Sequence, residues 1–291
     1  MNDAIRAQLS ERGLDPAQIE HLVHLALDED LCDGPDITTT ATISPEQVCP
    51  AAIVARQPGV VCGLTLALVV LEAAGFPLSG ATLVSHDGDT VVAGATVLRL
   101  SGPLPPILLA ERTLLNFLTH LSGVATATNE WVRELSGTNC QVRDTRKTTP
   151  GLRQLEKFAV RCGGGTNHRF GLGDAALIKD NHIAAAGGIT AAVAAIRQAY
   201  PHHIIEVECD TLDQVREAIT TQCQSILLDN MDIDSTREAI VLVRSSSPKL
   251  VEFSGGATLD NARLIAHAGA NFIAVGSLTH SVKALDFGLD L

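Results

Sequence analysis

Residues 204–230 contain Ile204-Ile205-Glu206-Val207-Glu208, then Thr211-Leu212-Asp213-Gln214-Val215-Arg216-Glu217-Ala218-Ile219-Thr220, then Ser225-Ile226-Leu227-Leu228-Asp229-Asn230. A β-branched run, a helical stretch and a second apolar run predict strand, helix, strand. Connections of this kind join parallel strands by right-handed crossovers. The rhythm extends both ways. Strands are expected at 140–143, 176–179, 204–208, 225–228, 250–253 and 272–275, with helices near 151–161, 189–199, 211–220, 234–244 and 258–268. Six units fall short of the eight of a closed barrel. The expected class is α/β, with an incomplete, roughly six-stranded parallel α/β barrel.

Upstream the pattern is mixed. Asp15-Pro16 reads as cap and first residue of a helix reaching about residue 29. Short strands at 51–56, 81–85 and 96–101 alternate with an apolar helix at 64–74, which predicts a small N-terminal α+β unit. A long helix follows at about 106–135. No low-complexity stretch and no repeat motif stands out.

Composition narrows the function classes. Hydrophobic residues make up 46% of the 291 but aromatics only 3%, so aliphatic side chains must build the core. A net charge of −12 argues against a general nucleic-acid binder. Against that acidic background, residues 143–179 hold eight Lys/Arg and three acids, an island suited to a small anion. Seven cysteines without a C-x-x-C pair argue against a disulfide framework or a cysteine zinc site and suggest a reducing, cytoplasmic setting. The polar N-terminus does not read as a signal peptide. The apolar run at 59–71 is too short to span a bilayer, so no membrane role is expected.

Parallel barrels keep their chemistry at the C-terminal strand ends, and here those ends are polar. The first runs into Asp144-Thr145-Arg146-Lys147-Thr148, the second into Lys179-Asp180-Asn181-His182 and the third into Glu208. The fourth ends at Asp229-Asn230, the fifth at Ser254-Gly255-Gly256 and the sixth at Gly276-Ser277. Arg146, Lys147, Arg169 and Lys179, beside His168, are suited to carboxylates or phosphates: Arg grips them with paired hydrogen bonds and Lys supplies a point charge. The plain alternative is a solvated loop face. Glu206 and Glu208 are two apart and share a face, toward the barrel interior. Glu208 and Asp229, on adjoining strand ends, either hold Mg2+ through water or bind ribose hydroxyls; a structural ion pair is the plain alternative. Gly163-Gly164-Gly165 is read either as a loop that approaches a ligand or as a helix C-cap. Gly171-Leu172-Gly173-Asp174-Ala175-Ala176 matches a dinucleotide pattern but leads into a strand instead of a helix, and is rejected. Lys179 inside a barrel also fits a Schiff-base lyase. Residue chemistry alone thus yields a rim for a polyanion and names no reaction.

The motifs are similar to those of the quinolinate phosphoribosyltransferases over nearly the whole chain. The resemblance rests on Arg143-Asp144-Thr145-Arg146-Lys147-Thr148-Thr149-Pro150-Gly151, Gly163-Gly164-Gly165-Thr166-Asn167-His168-Arg169 and Leu177-Ile178-Lys179-Asp180-Asn181-His182. It extends through Glu206-Val207-Glu208, Leu228-Asp229-Asn230-Met231, Ser254-Gly255-Gly256 and Val275-Gly276-Ser277-Leu278-Thr279-His280. Upstream it includes Glu111-Arg112-Thr113-Leu114-Leu115-Asn116 and Glu29-Asp30 with Asp36-Ile37-Thr38-Thr39. Residues 31–36 form a slightly longer variant of that family's acidic turn. The resemblance implies a sandwich domain at 1–113, a barrel at 114–277 and a tail at 278–291 returning to the sandwich. It also implies a homodimer in which Arg112 serves the partner subunit's site, and NAD biosynthesis by decarboxylating transfer. Arg112, Arg146, His168, Arg169 and Lys179 would hold the quinolinate carboxylates. Lys147, Glu208 and Asp229 would face phosphoribosyl pyrophosphate and its Mg2+, Ser254, Gly255, Gly256, Gly276 and Ser277 would bind phosphate, and Thr145 and Val275 would also touch substrate. A paralogue acting on another pyridine carboxylate is the nearest rival.

Overall fold

The computed structural model describes all 291 residues. The chain divides into two compact units. One comprises Met1–Asn129, Thr149–Gly164 and Ser281–Leu291; the other comprises Glu130–Thr148 and Gly165–His280.

The first unit is an α+β sandwich. Its helix Pro16–Asp30 starts where expected: the Asp15 carboxylate accepts the Ala17 N–H at 2.9 Å, and Pro16 lacks a donor where none is needed. An antiparallel sheet runs in the order Phe287–Asp290, Val48–Ala55, Thr96–Pro103, Ala81–Leu83. Helix Leu64–Ala73 is buried on nearly all sides and helix Leu104–Glu134 spans 31 residues. Helix Arg153–Cys162 corrects the sequence reading. The strand–helix rhythm places it on the barrel, but Leu155, Phe158, Ala159 and Val160 pack into the sandwich core with Ile5, Leu9 and Leu14. Its Gly163 is a C-cap. A Cβ there would strike the Ala125 carbonyl oxygen and sit 2.6 Å from Thr128 Cβ. That is the packing role, not a ligand-facing one.

The second unit carries six parallel strands: β1 (Gln141–Arg143), β2 (Ala175–Ile178), β3 (Ile204–Cys209), β4 (Ser225–Asp229), β5 (Leu250–Ser254) and β6 (Phe272–Ala274). Their order is β1-β6-β5-β4-β3-β2, so β1 and β2 do not pair and the barrel is incomplete. Thr166 fills part of the free β1 edge. Its N–H donates to the Val142 carbonyl at 2.9 Å, and its carbonyl accepts the Asp144 N–H at 3.3 Å. A short helix, Asp180–Ala186, follows β2 where the sequence reading saw only a polar strand end.

A repeat that the sequence conceals becomes visible. Thr211-Leu212-Asp213-Gln214 after β3 and Thr258-Leu259-Asp260-Asn261 after β5 both form capping boxes. Gln224 Oε1 accepts the Ile205 N–H at 2.8 Å and is bonded by Arg197; Asn271 Oδ1 accepts the Val251 N–H at 2.9 Å and is bonded by Arg244. The two pairs of strands are copies of one device. The copying makes Glu252 on β5 the counterpart of Glu206 on β3, each following the residue whose N–H the Gln224 or Asn271 side chain accepts.

Candidate active site

Pleating directs alternate side chains of a parallel strand inward, and five of the six strands deliver polar groups to one cavity from themselves or the residues just after them. Thr145, Arg146, Lys147, His168, Arg169, Lys179, Glu208, Asp229 and Ser254 line one cavity of about 330 Å³. Leu177, Leu227 and Ala274 supply apolar wall and Glu252 completes the lining.

The cavity's cations differ in their commitments. Lys179 Nζ is ion-paired with Glu208 Oε2. Arg146 has no protein ion pair, and its buried Nε has no acceptor. Arg169 donates to the Ala175 carbonyl at 3.1 Å, and burial together with nearby Arg146 lowers its pKa from the usual guanidinium value. Uncompensated guanidinium groups in a cavity wall are costly, so an anionic ligand is what would satisfy them.

His168 is held from both sides. Asp144, fully buried, accepts the His168 backbone N–H at 3.0 Å and the Asn167 amide, which fixes the loop. The imidazole Nε2 meets Glu206 Oε2 at 2.6 Å. Burial opposes the imidazolium, but the Glu206 hydrogen bond, aided by Glu252 and the Glu206 charge, outweighs it and raises the His168 pKa. Burial likewise opposes the Glu206 charge, yet His168, Ser225 and Arg143 keep that carboxyl below its ordinary value. Ser225 Oγ donates to Glu206 Oε1 at 2.7 Å.

Beneath this pair lies a residue that the sequence reading missed. Glu252 is fully buried, and its Oε2 accepts Arg143 Nη1 at 2.7 Å, while that guanidinium stacks 3.5 Å over the Phe272 ring. Glu252 Oε1 is buried without a partner. Burial and the Glu206 charge push the Glu252 carboxyl up to about 7. The group His168, Glu206, Glu252 has metal-binding residue types, but His168 is already bonded to Glu206 and the Arg143 guanidinium to Glu252. Only its equivalence to Glu206 marks Glu252 in the sequence, and that required the repeat.

Glu208 and Asp229 fit Mg2+ better. Each has one oxygen engaged, by Lys179 and by Asn230 Nδ2 respectively, and a second without a hydrogen bond. Two hard carboxylate ligands in an open cavity leave positions for water and phosphate, as Mg2+ prefers.

Comparison with known proteins settles the lineage. The N-terminal domain of quinolinate phosphoribosyl transferase matches residues 36–122, and its C-terminal domain matches residues 124–290. The chain belongs to the quinolinate phosphoribosyltransferase family. Nicotinate-nucleotide pyrophosphorylase [carboxylating] of Mycobacterium leprae is 46% identical over 92% of this chain and 95% of that protein. A probable nicotinate-nucleotide pyrophosphorylase [carboxylating] of Bacillus subtilis is 43% identical over 94% and 93%. The crystal structure of NadC from Streptococcus pyogenes superposes with a TM-score of 0.89 at 37% identity, covering 96% of this chain and 97% of that one.

The remaining candidates of this family member are spread more widely. Gly255 and Gly256, both with positive φ, line a neighbouring depression with Asn230, Met231 and Phe253. A side chain at Gly255 would collide with the Asn230 amide. Gly276 lies against Lys147: a Cβ there would approach Lys147 Cδ to 3.0 Å. Val275 is buried, and Ser277 opens the short helix Ser277–His280. Arg112 belongs to the first unit, with a side chain 67% exposed and 4.0 Å from Glu111. It is therefore not among the residues that line the barrel cavity.

Proposed function

We propose that the chain transfers phosphoribosyl from phosphoribosyl pyrophosphate to quinolinate with decarboxylation, giving nicotinate mononucleotide, pyrophosphate and carbon dioxide. The observation that carries this reading is the pairing of family membership with Arg146 and Arg169, two cavity guanidiniums without protein counter-ions. Arg146, His168, Arg169 and Lys179 take the two ring carboxylates, joined by Arg112 of a partner subunit in a homodimer. Thr145, Lys147, Glu208 and Asp229 face the phosphoribosyl donor. Ser254, Gly255, Gly256, Val275, Gly276 and Ser277 take its phosphate.

Glu208 and Asp229 would hold Mg2+, which supplies charge neutralisation to the pyrophosphate when bound. The chain's own groups do the rest. Fixed cations orient the diacid so that its ring nitrogen faces the anomeric carbon. As pyrophosphate departs, the carboxylates near the ribose stabilise the developing oxocarbenium charge. The quaternised ring then loses the carboxylate next to nitrogen, since the ring cation stabilises the electron pair left behind. Lys179, paired to Glu208, serves as a carboxylate ligand, and no observation favours the Schiff-base alternative. The setting is cytoplasmic NAD biosynthesis; no helix is long and apolar enough to cross a membrane.

The deciding assay mixes enzyme, Mg2+ and phosphoribosyl pyrophosphate with quinolinate or with nicotinate, and follows pyrophosphate and carbon dioxide. Both products with quinolinate and neither with nicotinate are expected. Turnover of nicotinate alone would establish a paralogue with a different substrate.

A further inference from the structure

Loss of carbon dioxide leaves an electron pair on the ring carbon, and that carbon must gain a proton. The reaction proposed above accounts for every other atom but not for the source of that proton. The cavity wall contains one acid whose placement suits the task.

Glu252 lines the cavity, is fully buried, and makes only one hydrogen bond, from Arg143 to Oε2. Its other oxygen is buried without a partner. Its repeat counterpart Glu206 is in the opposite condition: both oxygens are engaged, by His168 and Ser225. Native interiors rarely leave such an oxygen unmatched. A carboxyl carrying a proton on that oxygen is neutral and costs far less to bury. One donor atom from each of His168, Glu206 and Glu252 lies within 4.8 Å of the other two, a gap that one water or a side-chain rotation closes.

The charges facing Glu252 can be named element by element. Arg143 faces it from β1, Glu206 from β3 and His168 from the loop after Thr166. Around it β4 offers Ser225 and Leu227, with Asp229 only at its upper end, and β6 offers Phe272 and Ala274. Entry of a doubly negative substrate adds two negative charges beside this cluster. The group that relieves the excess most cheaply is the carboxyl that burial and Glu206 have already pushed up to about 7.

We infer that Glu252 is the proton reservoir of the reaction: it takes up one proton as the dicarboxylate binds and returns it, through His168, to the ring carbon that loses carbon dioxide. In that step the carbon–carboxylate bond breaks, its electron pair stays on the ring, and carbon dioxide leaves. The ring carbon takes a proton from His168, and His168 regains one from Glu252, which ends as a carboxylate. Glu206 keeps its charge throughout and orients His168. The inference rests on the quinolinate reading of the site.

Calorimetry of quinolinate binding to the full enzyme at pH 8, in buffers of different ionisation enthalpy, counts the protons taken up. Uptake is expected to be larger by about one proton for the wild type than for E252Q. A second readout is turnover in mixed light and heavy water, scoring hydrogen against deuterium at the product ring carbon. E252Q should change that ratio and lower kcat roughly 10²-fold, the usual scale for a lost proton donor. Binding without proton uptake by the wild type overturns the inference whatever the fate of the variant. Unchanged uptake or an unchanged isotope ratio in a folded E252Q does the same. A wild-type enzyme that neither binds quinolinate nor releases pyrophosphate overturns the substrate reading, and this inference with it.

Discussion

Arg146 and Arg169 show what residue type and strand position reveal by themselves. Charged side chains at the C-terminal ends of parallel strands were legible before any coordinates, and the cavity gathers Arg146, Lys147, His168, Arg169, Lys179, Glu208 and Asp229 as a group. Glu252 was not legible as a site residue. A single acid within a β run looks like surface, and only its depth and partners reveal otherwise. Removing Arg146 or Arg169 leaves a carboxylate without its paired donors. Either alanine variant should weaken quinolinate by about 2 kcal/mol or more, roughly thirtyfold in Kd, while phosphoribosyl pyrophosphate changes far less. Calorimetry with each ligand checks this, and equal losses would contradict the assignment. His168 gives a pH dependence of definite sign. Its pKa is raised in the fold, so its imidazolium contribution is complete below the unfolded value and disappears as pH rises through the raised one. Quinolinate affinity should therefore hold past pH 6.5 and then decline through the raised value. A ring-proton titration of His168 by NMR should track that decline, and H168Q should lack its His168 component.

At the level of elements, the periodicity of 153–162 shows an apolar face but not which core receives it. That is why Arg153–Cys162 was assigned to the wrong unit. The short helix Asp180–Ala186 was missed for another reason: a single functional strand end and a helix start present the same polar residues. The repeat after β3 and β5 escaped because its contiguous shared letters amount to one short Thr-Leu-Asp run, while its other matched positions share hydrogen-bond roles, as Gln224 and Asn271 show. Two stability predictions belong here. T211A and T258A each delete a cap and should each cost about 1 kcal/mol. G163A places a methyl against the Ala125 carbonyl and Thr128 of a packed helix, at a cost of about 1–3 kcal/mol. Thermal unfolding of the three variants is the check. A Tm for G163A equal to that of the parent would mean that the helix Leu104–Glu134 yields more readily than its packing indicates.

For the molecule as a whole, the alternation of strands and helices was enough to expect an incomplete barrel following a small α+β unit in the chain, and relatives such as the Streptococcus pyogenes structure share the fold. The assembly is where composition says least, because a dimer face and a solvated face use the same residues. The proposed lending of Arg112 has a decisive test. R112A and K179A should each be nearly inactive. Mixed and allowed to exchange subunits, they should regain about a quarter of parental activity, because half the dimers carry one intact composite site. Mixtures no more active than their components would place Arg112 in its own subunit's chemistry or outside it altogether.

The sandwich sheet also has a history during synthesis. Strand Val48–Ala55 is flanked by Thr96–Pro103 on one side and by Phe287–Asp290 on the other, and the ribosome makes that last partner only after every barrel strand. Until then the nascent chain displays an unpaired β edge, open to the same edge on a neighbouring polysome product. Chains interrupted before Phe287 should thus be prone to aggregation and chaperone capture, even with all the cavity residues already translated.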